Sequence, residues 1–135
     1  MRYPFQPKST ARLRLGDYWA VRRKDGRFGF FAFLYSFSGR TGMIVALLND
    51  VGVSETLRAK RVAIHSTGVT HVRTFAATRS VILGNLAEKL DLAECEAWRE
   101  EFRSHSTVWG YQLLAELVNG VPNPVLQATA APARS

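Results

Sequence analysis

The sequence predicts an α+β domain: a bent antiparallel β-sheet or small open barrel, followed by two C-terminal helices. Three observations carry that expectation. Residues 12–83 hold repeated short runs with the two-residue period of strands. Lys24-Asp25-Gly26 stands between two such runs as a hairpin signal. From Asn85 onward the apolar period changes to that of a helix, with capping residues in place. At 135 residues the length fits one domain. We place that domain at 1–122, with strands over about 12–83 and helices over about 86–119. Residues 123–135, rich in Ala, Pro and Thr, read as a mobile tail.

Taken in order, residues 1–8 carry Pro4 and Pro7 and read as an extended arm. Residues 12–15 alternate as a half-buried strand, and Gly16 ends it. In residues 17–22, Tyr18, Ala20 and Arg22 share one face, and Asp17, Trp19 and Val21 the other. Asp25-Gly26 tolerates the positive φ angles of a tight primed turn. Residues 27–37 form a long strand with apolar groups on both faces, which predicts a central, doubly covered strand. A turn over 38–42 leads to a buried strand over 43–48.

The pattern is less regular beyond. Residues 49–59 are ambiguous, with a short helical turn around 54–57 as one option; strands over 60–66 and 69–75 follow, separated by a turn at Thr67-Gly68. Residues 78–83 are rich in β-branched residues and read as a last strand. Asn85 is placed to cap a helix over 86–90. Asp91 is placed to cap one over 92–103, with Glu94 as the reciprocal partner of a capping box. Leu86, Leu90, Ala93, Ala97 and Phe102 mark its apolar side. A second helix starts at Ser106 or Thr107, carries a Tyr111, Leu114 and Val118 stripe, and stops at Asn119-Gly120.

Charge is unevenly placed. The formal net charge is +7. Residues 1–40 hold nine Lys/Arg against two Asp/Glu, and residues 41–135 hold nine of each. The excess therefore lies on the arm and the first two strands, a patch that attracts nucleic acid, an acidic protein or anionic lipid. No run approaches the ~20 apolar residues of a membrane helix. The N-terminus has no apolar core or cleavage site of a secretory signal. With a single cysteine, Cys95, these features point to a soluble protein of a reducing compartment.

Candidate chemistry is sparse, and we expect no catalytic residue, metal or cofactor. His65 and His71 fall on neighbouring predicted strands, but Cys95 and His105 lie on helices at no zinc-site spacing. Cys95 sits between Glu94 and Glu96, which disfavour a reactive thiolate. Glu94, Glu96, Glu100 and Glu101 read as a solvated face or an acidic edge. The run from Arg27 to Phe33 resembles the first ribonucleoprotein motif, whose exposed aromatics stack on bases beside basic residues. Because both faces of this strand are apolar, core packing is the reading it favours. Base stacking by Phe28, Phe30 and Phe33 is the alternative.

Gly16-Asp17-Tyr18-Trp19-Ala20-Val21, followed by Lys24-Asp25-Gly26-Arg27-Phe28-Gly29-Phe30, resembles the start of the immunity protein 26 family of bacterial polymorphic toxin systems. Val81-Ile82-Leu83-Gly84-Asn85-Leu86 is similar to a later segment of that family, with Leu83 as an extra residue. The resemblance covers about residues 12–87. It implies a non-enzymatic protein that binds a cognate toxin in the cytoplasm and neutralises it by occlusion. The charge excess adds that the toxin presents an acidic contact face. Arg22, Arg23, Lys24 and Arg27, at the hairpin tip, are the expected partner-binding residues. Trp98, Trp109 and Tyr111 are either aromatic anchors or, by preference, helix-packing core. A small basic RNA- or DNA-binding domain using Arg27 to Phe33 is the alternative function.

Overall fold

Five antiparallel strands form one open sheet in the order β4-β3-β2-β1-β5. The strands are β1 (Asp17–Arg22), β2 (Phe28–Ser36), β3 (Gly42–Gly52), β4 (Ile64–His71) and β5 (Gly84–Asn85). The helices are α1 (Arg73–Thr78), α2 (Leu92–Ser104) and α3 (Tyr111–Leu117). This computed structural model describes residues 3–36, 41–104 and 107–121, with the backbone alone described for 101–104 and for residue 111. Residues 38–40 of the turn predicted over 38–42, Ser106, His105 and the tail predicted over 123–135 lie outside the described residues. So do the side chains of Phe102 and Tyr111.

The α+β class holds, and the sheet is open, with β4 and β5 at its two ends. Register shifts between Gly29 and Phe31, between Phe33 and Tyr35, and between Leu47 and Leu48 bend it. Its strand parity is simple. Trp19, Phe31, Phe33, Met43, Val45 and Leu47 face one cluster, which Phe75 of α1 and Leu114 of α3 complete. Tyr18, Phe30, Ala32, Leu34, Ile44 and Leu48 face the other, completed by Leu57, Leu86, Leu90 and Cys95 of α2. The sheet is thus covered on both faces, as the two-sided apolar pattern of β2 requires. Trp19 stacks on Phe31 at 5.5 Å and meets Phe75 edge-on at 4.8 Å. Truncating a residue such as Phe31 to Ala would cost ~3–5 kcal/mol.

Several elements differ from the sequence expectation, each for a tertiary reason. Residues 12–15 are not a strand. Thr10–Arg12 is a 3-10 turn, and the edge of β1 that those residues would use is taken by β5. The turn at Thr67-Gly68 does not exist: β4 runs unbroken through it. Gly68 is there for packing, since a Cβ would lie 2.4 Å from the Trp109 ring. Residues 60–63 are irregular, and residues 73–75 belong to α1 instead of a strand. Phe75 drives that exchange, because a helix lets it reach Trp19 and become fully buried.

The strand predicted over 78–83 reduces to one bridge, Ile82 to Phe5, which docks the extended N-terminal arm. Residues 54–57 form no helix, because β3 continues through Gly52 and bends lead to the buried Leu57. The helix expected over 86–90 is a single 3-10 turn, Ala87–Lys89, with Asn85 Oδ1 accepting from Ala87 N at 2.8 Å. Asp91 caps α2 as expected, accepting from Ala93 N and Glu94 N. Glu94 does not reciprocate. Its carboxylate accepts from Ile64 N at 2.9 Å and ties α2 to β4. The buried side of α2 therefore centres on Cys95, while Ala93 and Ala97 are exposed. Finally, α3 starts at Tyr111, because residues 107–109 pair with the outer edge of β4. Val69 N donates to Thr107 O and Trp109 N to Val69 O, both at 2.7 Å.

Candidate functional site

The β1–β2 hairpin carries the expected partner-binding residues. Its loop is not the two-residue primed turn. Arg23 N donates to Arg27 O at 2.7 Å and Gly26 N to Arg23 O at 3.1 Å, which encloses three loop residues. A single positive φ, +81° at Gly26, closes it. Asp25 avoids the second positive φ because its carboxylate is anchored. Oδ1 accepts from Arg27 N at 3.0 Å, and both oxygens face Arg23 Nε at 3.2–3.3 Å.

Arg23 itself is the main correction. It is 7% exposed and cannot be a surface contact. It continues the β1 face of Asp17, Trp19 and Val21 inward. There its Nη1 donates to Val118 O at 2.8 Å and to Val121 O at 2.7 Å, beyond the end of α3. Nη2 lies 3.2 Å from Asp25 Oδ2. One guanidinium thus ties the loop to the C-terminal turn, using the rigid fork that lysine lacks. Lys24 N adds a bond to Asn119 Oδ1 at 2.7 Å.

The other three residues do lie at the tip. Arg22 and Lys24 are exposed, and Arg27 is half-buried. The Arg22 guanidinium lies 5.2 Å from the centre of the Phe28 ring. Among the described residues the side-chain ion pairs are Arg23–Asp25 and Arg99–Glu96. The tip is therefore a fixed loop presenting cationic side chains, with its one carboxylate turned onto Arg23.

The aromatic strand offers no stacking surface. Phe30 and Phe31 are fully buried, Phe33 is nearly so, and Phe28 is half-buried. Trp109 is core, covering Gly68 and meeting Phe31 edge-on. Trp98 is half-buried against the second cluster. His65 and His71 share one strand, six residues and roughly 20 Å apart, so they do not converge. Among the described residues no group of three or more His, Cys, Asp or Glu is placed to hold a metal. Cys95 is fully buried, and burial, then Glu94, Asp91 and Glu96, push its thiol pKa up. That is the opposite of an activated nucleophile.

Two carboxylates escaped the sequence reading. Asp17, in the Gly16-Asp17 pair, is completely buried. Its oxygens accept from the Tyr3 hydroxyl at 2.8 Å, Asn85 Nδ2 at 2.9 Å and Arg14 N at 2.9 Å. It joins arm, loop and β5. Burial, then the bond to Asp17, raises the Tyr3 phenol. Asp50 on β3 is half-buried, and desolvation alone raises its pKa. An aspartate two residues before Gly52 in an apolar strand gave no signal of that burial. Tyr35 donates to Glu96 at 3.1 Å, with Arg99 4.5 Å from its ring centre; its phenol is raised, first by burial.

Among the described residues no helix is long and apolar enough to cross a membrane. Compared with known proteins, the chain matches no family model, no curated protein and no solved structure.

Proposed function

We propose that this chain is an immunity protein: it binds a cognate bacterial toxin in the cytoplasm and neutralises it by occlusion, without catalysis of its own. The observation that carries the reading is the hairpin tip. Arg23 fixes the loop from inside, and Arg22, Lys24 and Arg27 extend from a frame that needs no further ordering. Preorganisation lowers the entropy lost on binding. A cationic tip speeds encounter with an acidic surface and sets its register. The resemblance over residues 12–87 supports the same reading, since its first segment is β1, the tip and the start of β2.

The test is capture of partners by the tagged protein from its native lysate, with and without nuclease, at moderate salt. The reading expects one stoichiometric protein that survives nuclease and has an acidic contact face. Recovery of nucleic acid, lost with nuclease or with rising salt, would replace it with nucleic-acid binding through phosphate contacts. With Phe30 and Phe33 buried, such binding would run through charge and not through base stacking.

A further inference from the structure

The far end of the sheet carries a second feature. From the tip, β2 runs to Ser36, which pairs with Met43; the neighbouring Gly42 pairs with His71. The nine residues of β2 span roughly 30 Å. At that end β4, α1 and residues 108–110 line an open cavity of about 770 Å³. Its size falls within the ~300–1,000 Å³ of small-molecule sites.

The cavity has an apolar body and a cationic rim. Ala76 and Ala77 of α1 face Trp109 and Val108 across it, and Val108 is 75% exposed at its mouth. Two hydroxyls within, those of Thr70 and Thr74, bond each other at 3.0 Å. The lining includes Arg73 and His71, and among the described residues no carboxylate lines the cavity. His71 Nδ1 accepts from Arg73 N at 2.9 Å, so the neutral ring holds its proton on Nε2 as a donor. An adjoining hollow shares His71, Arg73 and Ala76 and adds Lys8, again with no carboxylate among the described residues.

We propose that this cavity binds a small amphipathic monocarboxylate. The tail lies between α1 and Trp109. The carboxylate meets the Arg73 guanidinium, whose planar fork matches it, and the His71 Nε2–H. Lys8 adds attraction from the adjoining hollow. The site is separate from the hairpin tip, so its success or failure leaves the immunity reading untouched.

The experiment is a heteronuclear NMR titration of the full chain with decanoate and with its neutral isostere, decanamide. Decanoate should bind saturably, with shifts centred on His71, Arg73, Thr74, Ala76, Ala77 and residues 108–110. It should bind about tenfold tighter than the amide, the size of one partly solvated charge-assisted hydrogen bond. Arg73→Ala, at an exposed position, should sharply narrow the gap between acid and amide, with His71 and Lys8 keeping the remainder; an unchanged gap would overturn the proposal. Ala77→Trp, also exposed, should fill the cavity and abolish both. No saturable binding at millimolar decanoate would overturn the proposal. So would equal binding of the amide to the wild type, or wild-type affinity in Ala77→Trp. Should Ala77→Trp fail to fold, the Arg73→Ala comparison decides alone.

Discussion

Replacing Arg23 with alanine should be the most damaging change at the hairpin, although Arg23 stands in a run of surface-looking cations. The guanidinium makes two charge-assisted bonds to backbone carbonyls, Val118 O and Val121 O, and one ion pair to Asp25. Each such bond contributes ~1.5–3 kcal/mol. Removing the side chain leaves Val121 O without that donor, while Val118 O keeps a long bond from Val121 N at 3.4 Å. Asp25, at 29% side-chain exposure, recovers solvent. Allowing for that relief, the loss is ~2–4 kcal/mol, below the 3–5 kcal/mol of a fully buried pair. For a chain of this length ~3 kcal/mol lowers Tm by roughly 10 °C. Urea unfolding of Arg23→Ala beside Lys24→Ala measures it. Lys24→Ala, with an exposed side chain, should stay within ~0.5 kcal/mol. Arg23→Lys should recover only part, lacking the fork. Equal midpoints for Arg23→Ala and Lys24→Ala would refute the clamp.

Further predictions follow from other parts of the fold. Gly68→Ala should cost ~1–3 kcal/mol by overpacking against Trp109, read from denaturant midpoints. Gly26→Ala meets no neighbour and should cost only the ~1–2 kcal/mol of a positive φ. Asp50→Asn should stabilise the protein at neutral pH. The folded pKa of Asp50 lies above the ordinary 3.8, so the native state holds the proton longer and stability falls as pH rises through that window. The gain from Asp50→Asn should therefore vanish below the unfolded carboxylate range in a pH series of urea melts. Cys95 should resist a thiol reagent in the native protein and react only on unfolding, with the thiol count followed by absorbance.

What the sequence made legible was local. The parity of β1 and β2, the loop position at Asp25-Gly26 and the Asp91 cap all depend on residues within a few positions of one another. The misreadings came from partners far along the chain. Gly68 mimics a turn glycine until Trp109 arrives to cover it. Residues 73–75 look like strand until Phe75 has Trp19 to pack on. Arg23 looks like its exposed neighbours because its acceptors, Val118 O and Val121 O, belong to the far end of the chain. One signal for it was present. Asp17, Trp19 and Val21 point to the same face, and Arg23 is the next residue on that face. The cavity beside Arg73 could not be foreseen, because it forms only once β4 is continuous and α1 is helical.

The central claim, neutralisation of a toxin through the basic tip, is tested most directly by growth. The protein captured from the lysate is expressed alone, with this chain, and with its Arg22→Glu/Lys24→Glu variant, whose changes lie at exposed positions. The account predicts arrest by the partner alone and rescue by the wild-type chain. It also predicts loss of rescue in the variant at unchanged stability. A partner that is harmless alone, or full rescue by the charge-reversed variant, would contradict it.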